Sequence, residues 1–334
     1  MSMTDFYMKK VYEEQSFLKS NLGPLSKVVG INDNSILEKY GVPNDFAGDE
    51  DCRINNEGTI LHKYADRVLV LVTEKCISNC AYCFRQKKLH NSSIDIYKLL
   101  DQLEEHLDNS SNVQEVIISG GDFMVYEFKT IQKIIERIRK NREINIRLHT
   151  RAIVFQPDLF TQDKIDLFEY YNVRLYFHIV HPYEICDIVK NKILDMSGKI
   201  RCYNQFPLLC GINDNVDVIK LLIKTLDECR VNNVVIYVAD PLSFLGKYRV
   251  PISKCLKLKH DLEETSPSWI NSLRMVFDSP DGKVNIDRFI HKDMDNQICY
   301  FNHKNHVVGF PDFPEELYRA SSRTTLLWKE SQQG

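Results

Sequence analysis

From about residue 60 onward, short β-branched runs alternate with amphipathic stretches, the pattern of parallel strands joined by crossover helices. Strands are predicted over Val68–Thr73, Glu115–Ser119, Ile144–Thr150, Arg174–Val180, Ile200–Phe206 and Val234–Asp240, with Leu273–Asp278 and Val307–Phe310 as later ones. Between them, Thr130–Arg139 and Val216–Glu228 carry apolar residues at helical spacing, with charges on the other side. Right-handed βα units repeated this way curl into an α/β barrel or partial barrel, whose site lies where the strands run out. Neither a short-period repeat nor a low-complexity tract interrupts the pattern. Residues 1–60, with loop-forming clusters such as NDNS and GVPNDFAGDEDC, are predicted to form a mostly helical or irregular N-terminal cap. Residues 61–300 form the barrel and 301–334 a C-terminal extension.

Charge narrows the partners. Lys and Arg number 43 against 46 Asp and Glu, a net charge of −3, so no cationic field draws this chain to nucleic acid or an anionic membrane. Nor is there an apolar run of membrane-spanning length, and the start MSMTDFYMKK lacks an apolar signal core. A cytoplasmic location is expected.

Seven of the ten cysteines are scattered, whereas Cys76, Cys80 and Cys83 form a C-x3-C-x2-C array just after the first predicted strand, within VTEKCISNCAYCFRQ. Three thiolates on one loop can cap three irons of a four-iron cluster and leave the fourth open to a chelating ligand. Structural zinc fits less well, because it is closed by four ligands and no fourth cysteine is near. Chance clustering of buried thiols is the remaining reading. Ser119, Gly120, Gly121 and Asp122 end the second strand, where glycines let backbone amides approach a ligand.

The array, with Tyr82 just before its third cysteine, resembles that of the radical S-adenosylmethionine (SAM) enzymes. By that resemblance the fold is a partial (βα)6 barrel, and the cofactors include a [4Fe-4S] cluster and SAM, which is cleaved to a 5′-deoxyadenosyl radical. Longer stretches, namely HKYADRVLVLVTEKCISNCAYCFR, VIISGGD, HTR, FHIVHPYEI, NQFPLLCGINDN, YVADPLSFLGKYRVPISK and VFDSPDGK, resemble lysine 2,3-aminomutases and the related enzyme that β-lysylates elongation factor P. They run in the family's order over residues 61 to 284.

The resemblance implies pyridoxal phosphate (PLP) bound to Lys283, its phosphate held by Arg67 beside Tyr64, and its ring faced by Tyr237. Arg85 would hold the substrate α-carboxylate, and Asp240 and Asp278 its distal ammonium. His178 and Gln205, with His149 less central, would lie near SAM. A small amino acid substrate and a flavodoxin- or ferredoxin-type reductant are the implied partners, with a homo-oligomer as the default. Asn213 and Asp214 are read as a loop and helix cap.

Three features depart from the family. The Asp278-Ser279-Pro280-Asp281-Gly282-Lys283 loop is two residues shorter and has one glycine. After Cys299 no cysteine remains, so the family's C-terminal zinc site is not expected. The segment from Asn302 to Gly334 aligns with nothing, and reads as a cover for the barrel mouth, a gate or a surface helix. The expected activity is a 2,3-aminomutase acting on L-lysine or a similar cationic amino acid. Rival readings are a PLP-free radical SAM enzyme, modification of a protein lysine, and a non-catalytic metal-binding barrel.

Overall fold

A computed structural model describes residues 4–30, 38–43, 45–89, 93–140 and 143–332; the NDNS stretch lies outside them. The chain opens with α1 (Asp5–Leu18) and α2 (Pro24–Val29), then the strands β1 (Ile60–Tyr64) and β2 (Arg67–Thr73). There follow α3 (Ile96–Asp108), β3 (Glu115–Gly120), α4 (Phe128–Arg139), β4 (Asn145–Thr150), α5 (Ala152–Phe155), α6 (Gln162–Tyr170) and β5 (Arg174–Phe177). Next come α7 (Asp187–Ser197), β6 (Cys202–Leu208), α8 (Val216–Glu228), β7 (Asn232–Val238), α9 (Ile252–Thr265), α10 (Ser268–Asn271), β8 (Arg274–Ser279) and β9 (Gly282–Asn285). The last elements are β10 (Phe289–Asp293), β11 (Ile298–His303), β12 (His306–Pro311) and α11 (Arg323–Leu326).

Strands β2 to β8 run parallel in sequence order, and β1 and β9 flank them antiparallel. Six βα units and a seventh parallel strand thus make the partial barrel. Side chains alternate across the wall. Val68, Val70, Val72, Val116, Ile118, Ile146, Leu148, Leu175 and Phe177 are buried, while Arg67, Leu69, Leu71, Arg147, His149 and Tyr176 are only half-buried. These intervening positions point to the other face, the lumen.

The helices close the outer face through single stripes. Ile131, Ile134, Ile135 and Ile138 of α4 are buried, each worth about 2 kcal/mol in removal of apolar surface from water. Asn215 caps α8 by accepting from Asp217 N and Val218 N, so this helix begins and ends at the predicted residues.

The strand predictions shift by two or more residues at three places, one of them β7, which runs Asn232–Val238 rather than Val234–Asp240. β5 stops at Phe177 rather than Val180, because Asn204 Oδ1 accepts from Ile179 N and Glu184 Oε2 from Val180 N, replacing ladder partners. β6 runs on through Pro207 to Leu208. Val307–Phe310 is a strand, but it belongs to a separate antiparallel sheet ordered β10-β11-β12, whose Phe301 and Phe310 pack 4.9 and 4.6 Å from the Phe277 ring. The boundary expected after residue 300 therefore falls within β11.

The first and last described segments are built into the barrel. Tyr7, Lys10, Val11 and Glu14 of α1 are buried, and the Glu14 carboxylate accepts from Leu25 N and Ser26 N at the start of α2. The C-terminal segment is a strap rather than a loose surface helix. Trp328 packs 5.0 Å from Phe17 and 5.1 Å from Tyr183, the Leu326 carbonyl meets His181 Nε2 at 3.1 Å, and Tyr318 donates to Asp214 at 2.7 Å. Among the described residues, no helix is long and apolar enough to cross a membrane.

Candidate active site

The loop after β2 carries Cys76, Cys80 and Cys83. Cys80 is buried and the other two half-buried, and the three sulfurs act electrostatically on one another. Burial, then Asp122 and Cys80, push the Cys76 thiol up to about 12. Burial also lifts Cys80 and Cys83 to about 11, although Arg151 draws both back. Such thiols need a bound cationic centre to ionise. Among the described residues, no three His, Cys, Asp or Glu side chains gather tightly enough for a single metal ion. A four-iron cluster instead uses a wider triangle with one thiolate per iron, and an all-thiol donor set is its chemistry.

The Gly-Gly segment does something other than present free amides. Gly121 N donates to Thr73 O at 2.6 Å and Asp122 N to Lys75 O at 2.9 Å, which ties the cysteine loop to β3. A Cβ on Gly120, whose φ is +117°, would lie 2.4 Å from Thr73 O, and one on Gly121 2.0 Å from Lys75 O. The Asp122 carboxylate accepts from Met124 N, Thr150 Oγ1 and Arg151 N. Ser119 is half-buried at the end of β3. Gly120, Gly121 and Asp122 thus shape the loop's seat, and the amides of Gly121 and Asp122 donate within the protein.

The second group lies on β1, β7, β8 and β9. The Asp278–Lys283 segment is a β8–β9 hairpin, with Asp278 directly opposite Lys283 and Ser279 opposite Gly282. The stretch read as a loop is thus a paired turn. Gly282, at φ +111°, turns the chain under the Tyr64 ring, which a Cβ would approach to 3.2 Å. Lys283 Nζ donates to Asp278 Oδ1 at 2.9 Å and lies 4.7 Å from the centre of the Tyr237 ring. Burial alone lowers the lysine pKa, but Asp278 and the Tyr237 hydroxyl hold it above its ordinary value. Lys283 is therefore an ammonium in this arrangement. Arg67 stacks on Tyr64 at 4.5 Å; its Nε is 3.0 Å from Asp66 but misaligned for a hydrogen bond. The Tyr64 hydroxyl is likewise buried without a partner. Two orphaned donors beside a lysine fit an anionic phosphate.

The third group faces the lumen near the strand ends. Arg85 Nη2 lies 3.4 Å from Asp49 Oδ2, with its side chain 11% exposed. The half-buried Asp240 is raised to about 7 by burial and by the like charges of Asp278 and Asp49, against the pull of Lys283 and Arg85. His178 Nε2 and His149 Nδ1 are 3.2 Å apart. Burial, then Arg151 and Arg147, lower His178 to about 3, and His149 is pushed well below its usual value by burial and its neighbours. Both rings are neutral at pH 7, and His149 Nε2 has no partner. Gln205 is buried on β6.

A profile of the radical SAM superfamily matches residues 70–206, the stretch from β2 through the cysteine loop to β6. The chain is 30% identical over 268 residues to L-lysine 2,3-aminomutase of Acetoanaerobium sticklandii, covering 75% of this chain and 64% of that protein. It is 31% identical over 229 residues to those of Fusobacterium nucleatum and Clostridium subterminale, covering 67% of this chain and 53% and 54% of theirs. The chain belongs to the lysine 2,3-aminomutase family of radical SAM enzymes. It spans less than two thirds of the length of these relatives.

The radical SAM match over the cysteine loop implies a [4Fe-4S] cluster and SAM. The lysine 2,3-aminomutase pattern in the sequence missed one set of residues, a buried network behind the cysteines. Arg151 donates to Glu184 Oε1 at 2.6 Å and to the His178 carbonyl. Tyr7 donates to the same Glu184 oxygen at 2.7 Å, and Lys10 to the carbonyls of Val154 and Glu184. The signal was present in the motifs HTR and FHIVHPYEI, which contain Arg151 and Glu184. Asp49 was equally hidden, inside a stretch that reads only as loop.

Proposed function

We propose that this chain is a radical SAM, PLP-dependent aminomutase that moves an amino group between Cα and Cβ of L-lysine or a similar cationic amino acid. The observation that carries the reading is the convergence of Lys283, Asp278, Tyr237, Asp240 and Arg85 on one lumen. When bound, SAM supplies the hydrogen-abstracting radical and PLP the electron delocalisation that lets nitrogen migrate.

The chain's own residues supply position. Arg67 and the Tyr64 hydroxyl would hold the phosphate, Tyr237 would face the ring, and Lys283 would provide the amine once it has given up its proton. Arg85 takes the substrate carboxylate, and Asp240 with Asp278 the distal ammonium. His178 and Gln205 face the SAM side, where neutral imidazoles bring no charge to repel its sulfonium. Two acidic groups at one end and an arginine at the other complement a long zwitterion with a cationic tail.

If PLP were held by Lys283, the lysine would be drawn out of its pair with Asp278, and that carboxylate would become available to the substrate ammonium.

The test is anaerobic reconstitution with iron, sulfide and PLP, borohydride reduction and peptide mass spectrometry, followed by incubation with SAM and lysine or arginine. A pyridoxyl adduct on Lys283 and a β-amino acid product are expected. The closed Lys283–Asp278 pair favours one second reading, PLP-free hydrogen abstraction on another substrate. An intact, SAM-cleaving cluster without an adduct would select it.

A further inference from the structure

Behind the cysteine loop lies a set of charges that the proposed reaction does not use. The Arg151 side chain is buried, with the residue 8% exposed, and Glu184 is fully buried. The guanidinium lies 5.6 Å from the centre of the ring of Tyr82, the residue just before Cys83, and 5.4 Å from that of Phe155. It is pinned on one side by Glu184 Oε1 at 2.6 Å and on another by the His178 carbonyl. Glu184 is itself held by Tyr7 and by Val180 N, so neither charge can swing away. Lys10, lowered to about 8 mainly by burial, stands beside Glu184, and Asp122 lies on the Cys76 side. Burial opposes the Arg151 charge, and the Cys80 sulfur and Glu184 are the main groups that sustain it.

A buried ion pair packed against the cysteine loop would act on a cluster held there. A [4Fe-4S]2+ core with three thiolates carries one net negative charge, and adding one electron from an external low-potential donor makes it two. In a medium of low dielectric, a fixed cation stabilises the more negative state and a fixed anion disfavours it. From this geometry we infer that Arg151 and Glu184 are electrostatic positioning residues that set the reduction potential of the cluster held by Cys76, Cys80 and Cys83, with α1 fixing Glu184 through Tyr7. The inference rests on the cluster assignment, but not on PLP or on the identity of the substrate.

Opposite charges give opposite signs, which structural damage would not. Wild type, Arg151→Met, Arg151→Lys and Glu184→Gln are reconstituted anaerobically, their iron content is measured, and the cluster is titrated with low-potential mediators while the EPR signal of the reduced form is followed. Arg151→Met is expected to lower the potential, Glu184→Gln to raise it, and Arg151→Lys to stay near wild type. Failure of wild type to take up a cluster would reject the cluster assignment itself, and loss from all three variants while wild type holds one would overturn the inference in favour of a purely structural role. If only Arg151→Met fails to hold a cluster, Glu184→Gln decides: a raised potential supports the inference, and an unchanged or lowered one overturns it. Shifts of the same sign in Arg151→Met and Glu184→Gln, or none in either at full iron content, also overturn it.

Discussion

Lys283 Nζ stands 2.9 Å from Asp278 Oδ1 across the β8–β9 hairpin, so the amine proposed to hold PLP and a carboxylate proposed to hold substrate first hold each other. Asp278→Asn removes the group that most raises the lysine pKa. The fraction of free amine at neutral pH then increases about tenfold for each unit of fall. The expected outcome is faster attachment of PLP, followed by absorbance, together with weaker lysine binding. Slower attachment would show that Asp278 aids the lysine rather than restraining it.

Asp240 gives a pH dependence with a definite sign. Its carboxyl is raised to about 7, so below that pH it is protonated and cannot pair with an ammonium. Lysine affinity, measured by calorimetry on the PLP-loaded protein, is expected to rise with pH across the Asp240 transition and then level. Since Asp278 is one of the like charges that raise it, Asp278→Asn should move the inflection to lower pH. A profile flat from pH 6 to 8 would remove Asp240 from the substrate site.

Asp49 occupies Arg85 at 3.4 Å, where the substrate carboxylate is proposed to bind. A partly exposed pair of this length is worth about 0.5–1 kcal/mol. Asp49→Asn should therefore lower KM for lysine by roughly two- to fivefold with kcat little changed. A higher KM would mean that Asp49 orients Arg85 instead of competing for it.

The parts of the fold that could be read from sequence are those whose signal is local. α8 was legible to the residue because its apolar positions form one stripe and Asn215 caps it. β1 and β9 were not, since each has only five or four residues and is made by pairing against β2 or β8, too short for a period to show. The same distinction separates the site residues. Cys76, Cys80 and Cys83 declare themselves by spacing, whereas Arg151, Glu184 and Tyr7 meet across separations of 33 and 177 residues. Nothing in a local window marks them as partners. For Gly120 and Gly121 the motif was visible, but its use in tying one loop to another depends on register, which only the structure gives.

Gly121 and Gly198 form a contrasted pair that tests this use. A Cβ at Gly121 would lie 2.0 Å from Lys75 O and 2.6 Å from Lys75 C, both backbone atoms, so no side-chain rotation relieves the clash. Gly121→Ala must push the cysteine loop away from β3 and break the Gly121 N to Thr73 O bond. A cost of about 3 kcal/mol is expected, seen as a lower midpoint in urea, together with reduced iron uptake. At Gly198, which ends α7 with φ −71° and ψ −23°, the nearest atoms to a Cβ are 3.8 Å away. Gly198→Ala should thus leave iron uptake unchanged and stabilise by about 0.5 kcal/mol through loss of unfolded-state freedom. Equal iron content in the two variants would mean that the cysteine loop does not depend on its seat against β3 to hold a cluster.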